Sequence, residues 1–348
     1  MLTAETSEQI EITPARIMQA GFAFWSSKVL LTAIGFELFT HLCDCSKTAA
    51  DIKNELQLHG RGLEDFLDTL VAMGFITRSG DGPEARYLNT PDTDMYLNKN
   101  RDTYMGGMLE MLNNRLYTFW GNLDEALKTG KPQNEVAKGG APIFDSLYED
   151  ENRLKEFVGA MGSIQAGNFN LFANQFDFSE YGTHMDVGGA GGDLSIQIAL
   201  AHPDIRCTVY DLPQVGPIAK ANIAKRHVED RVQFMAGDFF KDPLPHADLI
   251  TMGNILHDWG LDDKKMLIRK AFEALPTDGA LVVIENTIDD ERRQNVFGLL
   301  MSLNMLIETP AGFDYTAADF TRWAIEAGFK DVATMPLTGP ATALIAYK

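Results

Sequence analysis

Cysteine is scarce in this chain. Cys43, Cys45 and Cys207 make an odd count, with no C-x-x-C pair and no histidine at metal-ligand spacing. A disulfide framework or zinc site has little support, so the expectation is reduced thiols, no metal and a cytoplasmic setting. Basic charge is also short: 30 Lys and Arg stand against 49 Asp and Glu, a net charge of −19. Such a balance repels polyphosphates and argues against nucleic acid as a partner. Long uncharged runs are missing too. The most apolar early stretch, GFAFWSSKVLLTAIGFELFTHL, is interrupted by Lys28 and Glu37 and falls short of the roughly 18 apolar residues that suggest a membrane span. The first dozen residues are acidic, unlike a signal peptide, and no membrane partner is expected. What remains is globular: 45% of the 348 residues are apolar and 23% charged, enough for two domains.

The chain divides by pattern into residues 1–100, 101–180 and 181–348. Residues 14–42 read as one long helix opened by Pro14, apolar on more than one face. From Lys47 to Asn89 a capped short helix, a His-Gly break, a second helix ending at Gly74 and a turn at SGDG spell a winged helix-turn-helix. Its would-be recognition helix carries Arg61 against Glu64, Asp65 and Asp68, and the wing sets two Arg against Asp81 and Glu84. A DNA-reading surface should be basic, so the module reads as structural. Residues 101–180 look helical and rich in Met, Phe and Tyr, as suits a core, a subunit interface or the wall of a pocket for a planar ligand.

From His184 the pattern alternates strand and helix: HMDV, RCTVY, RVQFMA, ADLITM and ALVVIE, then helices near 294–308 and 316–328, then DVATMP and TALIAY. The fold class is α/β, a Rossmann-like parallel sheet with helices on both faces and an antiparallel edge, and its ligands bind at the carboxyl ends of the strands. The glycine-dense turn MDVGGAGGD follows the first strand and opens a helix whose amino end points at a ligand. It lacks the spacing of a dinucleotide fingerprint, because Leu194 stands where a third glycine is needed. Asp186, Gly188 and Gly189 end the first strand, Asp211 and Leu212 the second, and Asp238 and Phe239 the third. A ribose-accepting acid, an acid for an exocyclic amine and a ring for adenine imply a nucleoside. Three acids would repel pyrophosphate and suit the sulfonium of S-adenosylmethionine. After the fourth strand, His257 leaves the sheet near that seat, where an imidazole can remove a proton near neutral pH. Glu285, ending the fifth strand, and Asp314, in ETPAGFDYT, could orient it.

Taken together, MDVGGAGGD, VYDLP, AGDFF, ILHDW and FEALPTDGALVVIE resemble, in order and spacing, the S-adenosylmethionine-dependent O-methyltransferases of plant caffeate, hydroxyindole and bacterial antibiotic-tailoring type. The likeness spans nearly the whole chain. It implies a class I methyltransferase domain and a homodimer built through the amino-terminal domain. The implied substrate is a small hydroxylated aromatic (phenol, polyketide or phenazine). By position, His257 matches the general base, with Glu285 and Asp314 as assisting acids. Gly188, Asp211, Asp238 and Phe239 match cofactor ligands, Trp259 flanks the cofactor, and Met305 lies where substrate is contacted. Three positions depart from the pattern: Asp314 replaces a Glu, Ala190 a glycine, and Gly253 a Lys or Arg near the cofactor. Related proteins that act on carbon or nitrogen, a nicotinamide oxidoreductase and a winged-helix metabolite sensor are the rival readings.

Overall fold

The computed structural model describes residues 12–348 apart from 44, 102 and 141–150, so the stretch IFDSLYED lies outside it. Two compact units divide between Asn113 and Asn114.

In the first unit a helix, Ala15–Gly35, begins behind Pro14. The single helix expected to reach residue 42 does not form. Glu37 takes a left-handed φ of 55° and a separate turn, Leu38–His41, follows. Tertiary contacts override the local pattern here. Leu38 and Phe39 turn into the core, while the Glu37 carboxylate pairs with Lys99 at 2.7 Å. β1 (Lys47–Thr48) runs into a helix, Ala49–Glu55, opened by a reciprocal cap: the Asp51 N–H donates to Thr48 Oγ1 at 3.1 Å and the Thr48 N–H to Asp51 Oδ2 at 3.0 Å. The next helix, Leu63–Ala72, buries Leu63, Leu67 and Leu70, one face at helical spacing. β2 (Ile76–Ser79) and β3 (Arg86–Asn89) form the hairpin wing, and β3 also pairs β1. The wing arginines stay within the unit: Arg78 pairs with Asp68 at 2.6 Å and Arg86 donates to the Ser46 carbonyl at 2.8 Å. In contrast, Ile17, Phe24 and Trp25 on the first helix are 70%, 54% and 58% exposed. This helix is also long and apolar enough to cross a membrane, by length and composition only.

The second unit is built on a seven-stranded sheet: β4 (Thr183–Val187), β5 (Arg206–Asp211), β6 (Val232–Ala236), β7 (Leu249–Gly253), β8 (Ala280–Glu285), β9 (Asp331–Pro336) and β10 (Thr342–Tyr347). Its order is β6-β5-β4-β7-β8-β10-β9, parallel except for β10, which runs antiparallel to both neighbours. Every residue of β8 is buried, which is why its run reads as continuously apolar rather than alternating. Val282 and Ile284 face one layer, with Phe172, Ile196 and Ile223 from helices Glu151–Gln175, Asp193–Ala201 and Gly216–Lys225. Leu281 and Val283 face the other, with Leu267, Ile268, Phe320 and Trp323 from helices Leu261–Ala274 and Ala317–Ala327. Each such side chain contributes about 1.5–3 kcal/mol by leaving water. Strand order reverses between β4 and β7, and a crevice at such a switch point is where open α/β sheets bind ligands.

Candidate active site

The glycine turn leaves β4 beside that switch point. Gly188 takes φ +70°, which favours glycine, and a Cβ there would come within 2.3 Å of Ile255 Cδ1 and push that side chain aside. The same point lies 3.8 Å from Phe239 Cε1, which brings together the turn, the end of β6 and the segment preceding His257. A Cβ on Gly189 would meet Asp186 Oδ2 at 2.7 Å. Ala190 adopts the left-handed φ of 45°, and its N–H donates to Asp211 Oδ2 at 2.8 Å. The Leu212 N–H donates to Asp211 Oδ1 at 2.7 Å. Two backbone donors thus fix the direction of a buried carboxylate, whose burial nevertheless pushes it up to about 6. Asp186 lies beneath the turn and accepts the Thr251 hydroxyl at 2.7 Å; that hydroxyl is 2.9 Å from His184 Nε2. Burial raises Asp186 to about 7 and lowers His184 to about 3.

At the end of β6, Asp238 accepts the Phe240 N–H at 2.9 Å and pairs with Lys241 at 2.8 Å, whose hydrogen bond holds it below the usual carboxylate range. Phe239 and Phe240 meet Trp259 edge-on, with ring centroids 6.1 and 4.6 Å away. Lys270, absent from the sequence reading, donates to the carbonyls of Phe239, Phe240 and Asp242 at 2.7, 3.2 and 2.8 Å and so ties down this loop. Gly253 is not a forced glycine: a Cβ would sit 3.5 Å from Phe169, an ordinary contact. Acids at three adjacent strand ends with an aromatic face beside them fit a nucleoside bearing a cationic tail better than a pyrophosphate.

Across the crevice, His257 sits on a short turn, Leu256–Asp258, after β7 and is 7% exposed. Its backbone N–H donates to Glu285 Oε1 at 3.1 Å. Its ring is held between two carboxylates, Nδ1 being 3.4 Å from Asp314 Oδ1 and Nε2 3.5 Å from Asp258 Oδ1. Burial alone would strip the imidazole of its proton. The charges of Asp258, Asp314 and Glu285 outweigh it and push His257 up to about 10. Burial raises Asp258 and Glu285 in turn, opposed by the charge of His257. The loop carrying Asp314 fits closely: a Cβ on Gly312 would come 2.7 Å from the carbonyl oxygens of both His257 and Asp258. The Asp314 N–H donates to Ser302 Oγ at 3.1 Å.

Met305 is buried on the helix Val296–Glu308 that also bears Ser302. That helix is fastened by residues the sequence did not flag. Trp120 Nε1 donates to Asn304 Oδ1 at 2.9 Å, and Arg115 bridges Glu135 at 2.7 Å and Glu308 at 3.1 Å. Lys264 was missed as well, although Lys264, Leu267, Ile268 and Ala271 fall on one buried stripe, and a lysine there is the available signal.

Comparison with known proteins agrees with this geometry. Residues 120–330 match the family model of the O-methyltransferase domain, and residues 18–99 that of the O-methyltransferase dimerisation domain. The chain is 38% identical over 335 residues to the tetracenomycin polyketide synthesis 8-O-methyl transferase TcmO of Streptomyces glaucescens, covering 96% of this chain and 97% of that one. It is 32% identical over 314 residues, 90% of each chain, to the N,N-dimethyltransferase OxyT of Streptomyces rimosus. Human N-acetylserotonin methyltransferase, solved in complex with S-adenosylmethionine, superposes with a TM-score of 0.88 at 28% identity, covering 98% of this chain and 99% of that one. Glycine turn, acidic strand ends, buried histidine and whole-length likeness converge, and the chain belongs to the S-adenosylmethionine-dependent O-methyltransferases that carry a dimerisation domain.

Proposed function

We propose that this enzyme methylates a phenolic hydroxyl of a small fused-ring aromatic of the polyketide type, with His257 as the general base. The observation that carries the reading is the buried His257 ring at the carboxyl end of β7, gripped by Asp314 at 3.4 Å and Asp258 at 3.5 Å. The TcmO relative, which acts in polyketide synthesis, supports the acceptor class. Gly188, Gly189, Asp211, Leu212, Asp238, Phe239, Gly253 and Trp259 are the residues that would hold the cofactor, with Asp186 supporting the turn from below. Asp211 offers its remaining lone pairs to the ribose hydroxyls, and Phe239 offers its face to the base. When bound, S-adenosylmethionine supplies an activated methyl on a sulfonium, whose positive charge also opposes a proton on His257. The acceptor hydroxyl gives its proton to a ring nitrogen of His257, and the resulting oxyanion is the nucleophile. Glu285 fixes the turn bearing the base, Asp314 stabilises the imidazolium, and Met305 lines the wall against the acceptor.

The test is methyl-labelled S-adenosylmethionine with a panel of fused-ring phenols and matched aromatic amines. Label on the phenols, and a fall of roughly 10²- to 10⁴-fold in kcat for His257→Gln, is expected. Transfer to amines alone, undiminished in His257→Gln, overturns the reading. The OxyT relative makes nitrogen the second acceptor to consider.

The same reading includes a homodimer. The helix Ala15–Gly35 presents Ile17, Phe24 and Trp25 outward, and most of it falls within the matched dimerisation domain, which favours a second copy over a membrane as its cover. Trp25→Asp shifts the enzyme from dimer to monomer mass in light scattering; a wild-type monomer refutes the dimer.

A further inference from the structure

Lys270 reads as a surface cation in the sequence and acts as a fastening in the fold. It stands one turn before the end of the helix Leu261–Ala274 and is half-buried. An ammonium has three donors, and here each meets a main-chain oxygen of another element: the carbonyls of Phe239 at 2.7 Å, Phe240 at 3.2 Å and Asp242 at 2.8 Å. A lysine free to follow its solvation would keep that head in water.

The loop it grips follows β6, and its internal hydrogen bonds make a tight turn. The N–H groups of Lys241 and Asp242 donate to the Asp238 carbonyl at 3.0 and 2.8 Å. The Asp238 N–H donates to Asp242 Oδ2 and the Phe240 N–H to Asp238 Oδ1, both at 2.9 Å. These bonds shape the turn without joining it to the rest of the fold. Its near end is anchored to β5, where the Gly237 N–H donates to the Asp211 carbonyl at 2.9 Å. Lys270 anchors the far end, at the peptide groups that follow the Phe239 and Phe240 side chains. Both rings also pack on Trp259, but apolar contact is non-directional and lets a ring slide. Three bonds to one ammonium set a position.

We propose that Lys270 is a positioning residue for cofactor binding: by pinning the far end of this turn it holds the Asp238 carboxylate and the Phe239 ring in place before the base of S-adenosylmethionine arrives. This rests on the reading that Asp238 and Phe239 receive that base. A loop ordered in advance costs no further entropy when the ligand binds, so the loss of Lys270 weakens affinity. The base lies at the far end of the cofactor from the transferred methyl. Its contacts are therefore equal in ground and transition states, and KM rises while kcat is kept.

The test combines calorimetry with S-adenosylhomocysteine, amide hydrogen exchange, and kinetics on the phenol that accepts label, in wild type, Lys270→Met and Lys270→Arg. Methionine keeps an apolar stem and removes the donors. Arginine keeps donors, and a cleft of about 320 Å³ lined by Lys241, Pro243, Leu244, His246 and Glu273 gives it room to reach the same carbonyls. Lys270→Met binds S-adenosylhomocysteine about tenfold more weakly and raises KM for S-adenosylmethionine by a similar factor, with kcat within about threefold of wild type. Amides 239–242 exchange faster in the free Met variant and slow again when ligand is bound, and Lys270→Arg recovers most of the affinity. Unchanged affinity in folded Lys270→Met overturns the proposal, and so does a fall in kcat with KM unmoved. If the Met variant does not fold, Lys270→Gln is judged by the same readings; if neither folds, the lysine serves stability and the proposal is overturned. Phe239→Ala separates this from the underlying reading. Unchanged affinity there removes the assigned seat of the base, whereas weakened binding there with none in Lys270→Met removes only the role of the lysine.

Discussion

Two groups of acids occupy the same carboxyl edge of one sheet, and they meet different partners. On the β5 side, Asp211 is met by two backbone N–H groups, at 2.8 and 2.7 Å, with no imidazole in its grip. On the β7–β8 side, Asp258 and Asp314 flank the His257 ring at 3.5 and 3.4 Å, while Glu285 accepts the His257 backbone N–H at 3.1 Å. Backbone donors make the first acid a fixed acceptor, as the proposed binding of ribose hydroxyls requires. A titratable ring beside Asp258 and Asp314 is the partner the proposed proton transfer needs. Residue type is common to both; the partner decides the role.

The sharpest way to break this contrast is to remove one acid from each side. Asp314→Asn lowers kcat roughly 10- to 100-fold and leaves cofactor affinity near wild type, read from steady-state kinetics and calorimetry. Its pH profile also has a defined sign. Asp314 favours the protonated ring, so the Asn variant loses its proton at lower pH, and the rise of kcat/KM with pH moves down from the wild-type position. Asp211→Asn does the reverse: cofactor affinity falls about tenfold or more, as expected for hydrogen bonds to a charged group worth about 1.5–3 kcal/mol, and the pH profile is unchanged. If both variants alter the same parameter, the two groups are not distinct.

A smaller effect separates the layer beneath them. His184, lowered to about 3, is neutral in the fold and protonated in the unfolded chain, so its contribution is present above pH 6.5 and lost as pH falls toward 3. Asp186, raised to about 7, has the opposite sign: its contribution is present below 3.8 and lost as pH rises through 7. In His184→Gln only the second remains, and lowering the pH from 7 to 5 shifts Tm upward relative to the shift in wild type. The smallest effect is Ala190→Gly. The left-handed φ of 45° costs an L-residue about 1 kcal/mol, glycine relieves it at some cost in entropy, and the net change in stability stays under about 1 kcal/mol.

Much of this was legible before any coordinates. The runs DVATMP and TALIAY coincide with β9 and β10, because β-branched and apolar runs between turn residues have few other uses. His257 and Glu285 could be nominated because strand ends locate the crevice, and Asp314 from the loop ETPAGFDYT; the structure brings those three together. The break at Phe36 and Glu37 was not legible, since the apolar pattern continues through it and only Lys99, distant in sequence, gives Glu37 a reason to turn. Nor were Lys270 and Arg115, ordinary surface cations until their carbonyl and carboxylate partners are in place.

The sequence by itself determined the alternation of strand and helix, the glycine turn and the set of acids and imidazole, because backbone conformation and burial period depend on residues close along the chain. Only the tertiary structure decided which acid meets the imidazole and which meets backbone N–H groups, and that Lys264 is buried over the Phe313 ring. Those outcomes depend on distances across the sheet, where removal of water turns a few ångströms into whole units of proton affinity.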